Sequence, residues 1–203
     1  MDPLLKIANK HKLSVIEDAA ELIGAEYKKN PCGSFGHIST FSFYPNKQIT
    51  TGEGGMVVTN DIQISNRCKS LRNLCFKKEK RFVHDELGWN YRMTNLQAAL
   101  GIAQLEKLDL IVKNKLKNGR IYNQLLEDVQ GIQTPLKRTK YAENIYWVYG
   151  LVLKKNSPIK LNSFMKKLKD NGIETRNFFW PLHEQPILRK MGLFKNLKLP
   201  VSE

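Results

Sequence analysis

Leu4, Leu5, Ile7 and Ala8 recur at helical spacing behind an Asp2-Pro3 start signal. An N-cap acid followed by proline at the first helical position predicts a helix that runs to about His11. The pattern then changes. Residues 13–16 form a short apolar run between polar residues, which fits a buried parallel strand. Residues 30–36 (Asn-Pro-Cys-Gly-Ser-Phe-Gly) are turn material. Residues 38–44 alternate apolar and hydroxyl side chains and read as a strand, and residues 55–59 read as another. Asn60-Asp61 can cap a helix that reaches about Leu74. Helix followed by strand predicts an α/β layer architecture.

The second half is more helical. Leu96, Ala99, Leu100, Ala103, Leu108, Ile111 and Val112 keep helical spacing within a stretch over 94–129, where Gly119 is the expected kink or break. Residues 79–93 before it are aromatic and irregular, as functional loops are. Residues 145–153 read as an aromatic-rich strand, 161–171 as a lysine-rich amphipathic helix ended by Gly172, and 173–177 as a further strand. That order predicts a second, small α+β domain, with the division placed at 1–110 and 111–203.

Composition narrows the function classes. A chain of 203 residues can hold one good core or two small domains. With 41% hydrophobic and 26% charged residues it has the balance of a soluble globular protein. No apolar run approaches a membrane span, and Met1-Asp2-Pro3 opens no signal-peptide pattern, so no membrane partner is expected. Cys32, Cys68 and Cys75 are an odd set without CxxC spacing, which predicts reduced thiols, a cytoplasmic location and no metal site. The net charge of +14 raises nucleic-acid binding as a possibility. Yet the lysines are scattered as Lys28-Lys29, Lys77-Lys78, Lys154-Lys155 and Lys166-Lys167, with no single stripe and no base-reading motif. The expectation is no nucleic acid; the excess charge suits attraction of an anionic nucleotide substrate.

Two short segments carry the chemistry. Val15-Ile16-Glu17-Asp18-Ala19-Ala20 places an acid at the end of an apolar run, and Ser42-Phe43-Tyr44-Pro45-Asn46-Lys47 leads into Gly52-Glu53-Gly54-Gly55. Pyridoxal phosphate (PLP) needs both a lysine for covalent attachment and a carboxylate that keeps its ring nitrogen protonated. Glycines let backbone pass close to a ligand where side chains would obstruct it. Read singly, Asp18 serves equally well as a turn cap, and Lys47 as a surface lysine in a glycine-rich hairpin.

Together these segments resemble the DegT/DnrJ/EryC1/StrS family of sugar aminotransferases. The resemblance extends through Gly33-Ser34-Phe35-Gly36, Gly88-Trp89-Asn90-Tyr91-Arg92-Met93-Thr94-Asn95, Gln97-Ala98-Ala99 and Pro181-Leu182-His183-Glu184-Gln185-Pro186. It implies an α/β fold, a partial PLP-dependent transferase of fold type I (aspartate aminotransferase-like), with an incomplete large-domain sheet over 1–110 and a partial small α+β domain over 111–203. It implies pyridoxal 5'-phosphate as cofactor, Lys47 as its covalent attachment point and Asp18 as partner of the pyridine nitrogen. By the same resemblance Ser42 contacts the cofactor phosphate, Glu21 lies near the ring, and Asn90 reaches a neighbouring subunit's phosphate in a homodimer. His183 and Arg176 match the region near the sugar. Glu21 resembles the perosamine synthase branch, which implies a nucleotide-linked 4-keto-6-deoxy sugar as substrate and glutamate as amino donor.

Relatives carry a portion ahead of the position of Met1 that supplies the first strands, a phosphate-binding turn and an aromatic ring on the cofactor. They also continue past Glu203. The expectation is therefore a central segment of a longer protein. That leaves a second function class open: a non-catalytic or interaction module that pairs with a chain carrying the N-terminal part.

Overall fold

The structure, a computed structural model, describes residues 1–202; Glu203, the last residue of the expected small domain, lies outside them. It divides into two units, Met1–Asp128 with Thr134–Tyr149, and Val129–Gln133 with the chain from Gly150 onward.

The first unit begins with α1 (Asp2–Lys10), in which Asp2 is the first helical residue and not the expected cap; Met1 holds the N-cap position without a side-chain cap. The helix ends through a left-handed Lys12 (φ 51°), which lets the Leu13 N–H return to the Ala8 carbonyl at 2.8 Å. Leu13 is thus spent on closing the helix, and the strand expected at residues 13–16 is displaced: β1 is Ile16–Asp18. The hairpin of β2 (Glu26–Tyr27) and β3 (Asn30–Pro31) was hidden in the pattern. Its two turn residues, Lys28 (φ 51°) and Lys29 (φ 66°), are both left-handed, as a two-residue hairpin turn requires, but lysines do not signal that turn as Asn-Gly would.

β4 (Ile38–Ser42) and β5 (Gly55–Val58) complete a three-stranded sheet in the order β1-β4-β5. β1 pairs with β4 in parallel, with Asp18 opposite Thr40, and β4 pairs with β5 antiparallel, with Ser42 opposite Gly55. α2 (Ile62–Leu71) starts at Asp61, whose carboxylate accepts the Gln63 and Ile64 N–H groups.

The long helical stretch is two helices, α3 (Asn95–Leu105) and α4 (Leu108–Leu125). α3 opens with a capping box between Thr94 and Gln97. The break falls at Glu106-Lys107 and not at Gly119, which is buried within an unbroken α4. The core of this unit gathers Ile23, Phe43 and Ile49, with Phe41, Met93, Leu108 and Ile111 packed on it. Each such apolar side chain contributes roughly 1.5–3 kcal/mol when fully buried. The lysine turn, the sheet and α4 are thereby fixed to one another.

The second unit contains β6 (Ile132–Gln133), paired antiparallel with β7 (Val152–Leu153), then α5 (Leu161–Asp170), a 3-10 turn at Leu182–Glu184 and α6 (Pro186–Lys190). The strand expected over 145–153 is reduced to β7, because Tyr146 adopts a left-handed φ of 52° that no extended strand tolerates. No strand forms over 173–177, where every residue is exposed.

Candidate active site

Because β1 and β4 run in parallel, their carboxyl ends lie side by side, where open α/β sheets place their ligands. β1 ends at Asp18, whose side chain is exposed and whose Oδ1 accepts the Ala20 N–H at 3.2 Å. The Ala19 N–H continues the ladder to the Thr40 carbonyl at 2.9 Å. β4 ends at Ser42, whose Oγ accepts the Tyr44 N–H at 3.2 Å. Asp18, Glu21, Ser42 and the turn that carries Lys47 therefore share one edge of the sheet.

The Lys47 turn is closed by the Lys47 N–H donating to the Tyr44 carbonyl at 3.0 Å. The lysine side chain is only 9% exposed. Its Nζ lies 3.4 Å from Glu21 Oε1 and 3.9 Å from the centre of the Trp147 ring. The Trp147 indole N–H donates to the Asn46 carbonyl at 2.9 Å, so the ring is tied to the turn it covers. On the next residue, the Gln48 amide donates to the Glu21 carbonyl at 2.7 Å. Gln48 is buried, and its Oε1 is an acceptor without a partner among the described residues.

Behind the turn, the glycine loop is held by backbone. The Thr51 N–H donates to the Phe43 carbonyl and the Phe43 N–H to the Gly54 carbonyl. A Cβ on Gly55 would meet the Phe41 carbonyl oxygen at 2.7 Å, so glycine is needed for β5 to close on β4. α3 buttresses the loop: Gln97 donates to the Glu53 carbonyl at 2.9 Å, and Gln104 accepts the Thr50 N–H at 2.9 Å.

Glu17 points opposite to Asp18, as strand alternation dictates. It is buried and accepts the N–H groups of Gly33, Phe35 and Gly36 at 3.0, 2.6 and 2.5 Å. This carboxylate organises the Gly33-Ser34-Phe35-Gly36 motif. Asn90 is exposed and forms a single antiparallel bridge with Asn73. His183 and Arg176 belong to the second unit. His183 is buried in the 3-10 turn, with its carbonyl accepting from Arg189 Nε at 3.1 Å. Arg176 is exposed beside Met165, Lys166, Lys169, Glu174 and Thr175 in an open groove.

Trp147, Gln48 and the loop-binding role of Glu17 were not visible in the sequence. Trp147 reaches the lysine turn from 101 positions beyond Asn46, a separation over which periodicity gives no signal. The residue set fits pyridoxal phosphate. A nearly buried amine, an exposed strand-end carboxylate and a hydroxyl share one edge, beside Gly55, where a Cβ would meet the Phe41 carbonyl oxygen.

The family model described as the DegT/DnrJ/EryC1/StrS aminotransferase family matches residues 1–203. The chain is similar to the GDP-perosamine synthase of Escherichia coli O157:H7, at 37% identity over 203 residues, covering 100% of this chain and 53% of that protein. It is also similar to the GDP-perosamine synthase of Vibrio cholerae, at 40% identity over 190 residues, covering 93% of this chain and 51% of that protein. Among solved structures, Helicobacter pylori PseC, an aminotransferase involved in the biosynthesis of pseudoaminic acid, superposes with a TM-score of 0.88 at 26% identity, over 97% of this chain and 53% of that one. The chain thus spans about half the length of the curated relatives it matches.

Proposed function

Because this chain belongs to the DegT/DnrJ/EryC1/StrS aminotransferase family, whose members depend on pyridoxal phosphate, we propose that it carries the lysine-bearing part of an enzyme that transfers an amino group from glutamate to a nucleotide-linked 4-keto-6-deoxy sugar. The observation that carries the reading is the placement of Lys47: a nearly buried amine at the edge formed by the carboxyl ends of β1 and β4, beside Glu21 and three residues beyond its turn partner Tyr44. The relatives named GDP-perosamine synthase support a GDP-linked sugar as the acceptor.

Bound pyridoxal phosphate supplies an electron sink that loosens the donor's Cα–H bond and stores the amino group between half-reactions. The chain's own residues have distinct tasks. Lys47 Nζ would be the covalent anchor and, when free, would carry a proton at that atom. The Asp18 carboxylate would hold the ring nitrogen protonated by a charge-assisted hydrogen bond. The Ser42 hydroxyl, its oxygen already accepting from Tyr44, has its own O–H left to donate to a phosphate oxygen. Glu21, whose Oε1 lies 3.4 Å from Lys47 Nζ, would border the ring. Asn90, exposed on the first unit, serves a neighbouring subunit in a homodimer. His183 and Arg176 are assigned to the sugar nucleotide.

The test is to incubate the chain with pyridoxal phosphate, reduce with borohydride and map the modified peptide. Label on Lys47, absent in Lys47→Ala, is the expected result; unchanged labelling in that variant removes Lys47 from the role. Amino transfer to GDP-4-keto-6-deoxymannose is then assayed with the chain alone and mixed with a chain supplying the remaining N-terminal portion of the family.

A second reading is favoured by Ile16, which is 69% exposed on β1, a strand that pairs only with β4 among the described residues. In it the chain is non-catalytic and docks on a partner chain through this edge. Stable mixing without any amino transfer would select it.

A further inference from the structure

The geometry points to Trp147 as a positioning residue for the Lys47 amine, an inference that rests on Lys47 being the lysine that bonds the cofactor. The amine lies 3.9 Å from the indole ring centre, well inside the roughly 6 Å over which the negative face of an aromatic ring attracts a cation. Tryptophan has the strongest such face. The edge of the same ring donates to the Asn46 carbonyl. One side chain therefore grips both the backbone before Lys47 and the end of its side chain, which fixes the ring plane relative to the amine.

Trp147 is itself held from the far side. Lys115 on α4 donates to the Trp147 carbonyl at 3.2 Å. The preceding Tyr146 seats its ring on Gly119, and its hydroxyl accepts from Asn123 at 2.7 Å. A rigid helix thus presents the indole to the lysine turn. Glu21, the other partner of the amine, is 44% exposed, and solvent and salt screen its pull. The aromatic face is the firmer constraint. A lysine has many rotamers, and an amine free to wander meets a reacting carbon in few of them; fixing it converts that search into a pre-set geometry.

The experiment reads the amine directly, without catalysis. The chain is treated with an amine-acetylating ester, and acetylation of each lysine is followed in time by peptide mass mapping. In the unaltered chain Lys47, with its side chain 9% exposed, is expected to react slowly. Trp147→Leu is expected to speed acetylation of Lys47 by about 3- to 10-fold while the other lysines keep their rates, and Trp147→Phe, which retains an aromatic face, to stay within about 2-fold of the unaltered chain. Equal Lys47 rates in all three overturn the role of Trp147. Should Trp147→Leu lose its fold, seen as faster labelling of every lysine, Trp147→Met replaces it, keeping bulk without a π-face, and the same contrast with Trp147→Phe decides. Borohydride trapping of pyridoxal phosphate on the unaltered chain runs in parallel. Label on a different lysine overturns the cofactor reading and the inference with it; label on Lys47 with equal acetylation rates overturns the inference alone.

Discussion

Tyr146 lays its ring on the bare backbone of Gly119, so closely that a Cβ there would come within 2.3 Å of a ring carbon. Alanine is the better helix former by about 1 kcal/mol, yet overpacking a filled site costs about 1–3 kcal/mol. The clash wins because the Tyr146 hydroxyl is anchored to the buried Asn123, so the ring has nowhere to retreat. Gly119→Ala is expected to lower the urea midpoint of the first unit, and a higher midpoint would show that the ring can move away.

Glu17→Gln replaces a buried carboxylate that accepts backbone N–H groups of Gly33, Phe35 and Gly36. An amide offers only one acceptor oxygen, and its NH2 faces a donor. Hydrogen bonds to charged groups contribute about 1.5–3 kcal/mol, so losing one and opposing another is expected to cost roughly 2–4 kcal/mol. Urea unfolding measures it; a loss under about 0.5 kcal/mol would mean that the loop holds itself.

Burial pushes the Lys115 amine below the ordinary lysine value of 10.5. Between the lowered value and the ordinary one, the unfolded chain holds more protons than the folded chain, so stability rises with pH across that window. Lys115→Met removes this rise. The unaltered chain is expected to gain on the variant as thermal midpoints are compared from about pH 7.5 to about pH 10. Parallel curves would show that the amine stays solvated.

Glu21→Gln removes the charge 3.4 Å from Lys47, in a pair whose acid is half-exposed. Such pairs contribute at most about 1 kcal/mol, so the folding free energy is expected to change by less than that. A loss of about 3 kcal/mol in chemical denaturation would instead mark Glu21 as a structural carboxylate.

The sequence was most legible where one physical signal acted alone. Asp61 capped α2 as its position before the helix implied, and Asp2-Pro3 marked where α1 starts, although Asp2 is the first helical residue and not the cap. It misled where two signals competed. Gly119 resembled a breaker because the ring it accommodates lies 27 positions away (146 − 119). Residues 145–153 resembled a strand because their aromatic content hid a left-handed Tyr146. At the site, Asp18, Ser42 and Lys47 could be singled out because each sits beside its own strand or glycine signal. Trp147 could not, because its importance comes from a contact and not from its neighbours in sequence.

The hydrogen bond between the Trp147 indole and Asn46 joins positions 101 apart. Closing so large a loop costs chain entropy, and pairings of that span are slow to form. By that argument the Lys47 turn is expected to gain its Trp147 cover later than the short-range pairing of β4 with β5. A chain emerging from synthesis is expected to present this amine uncovered until the segment bearing Trp147 arrives.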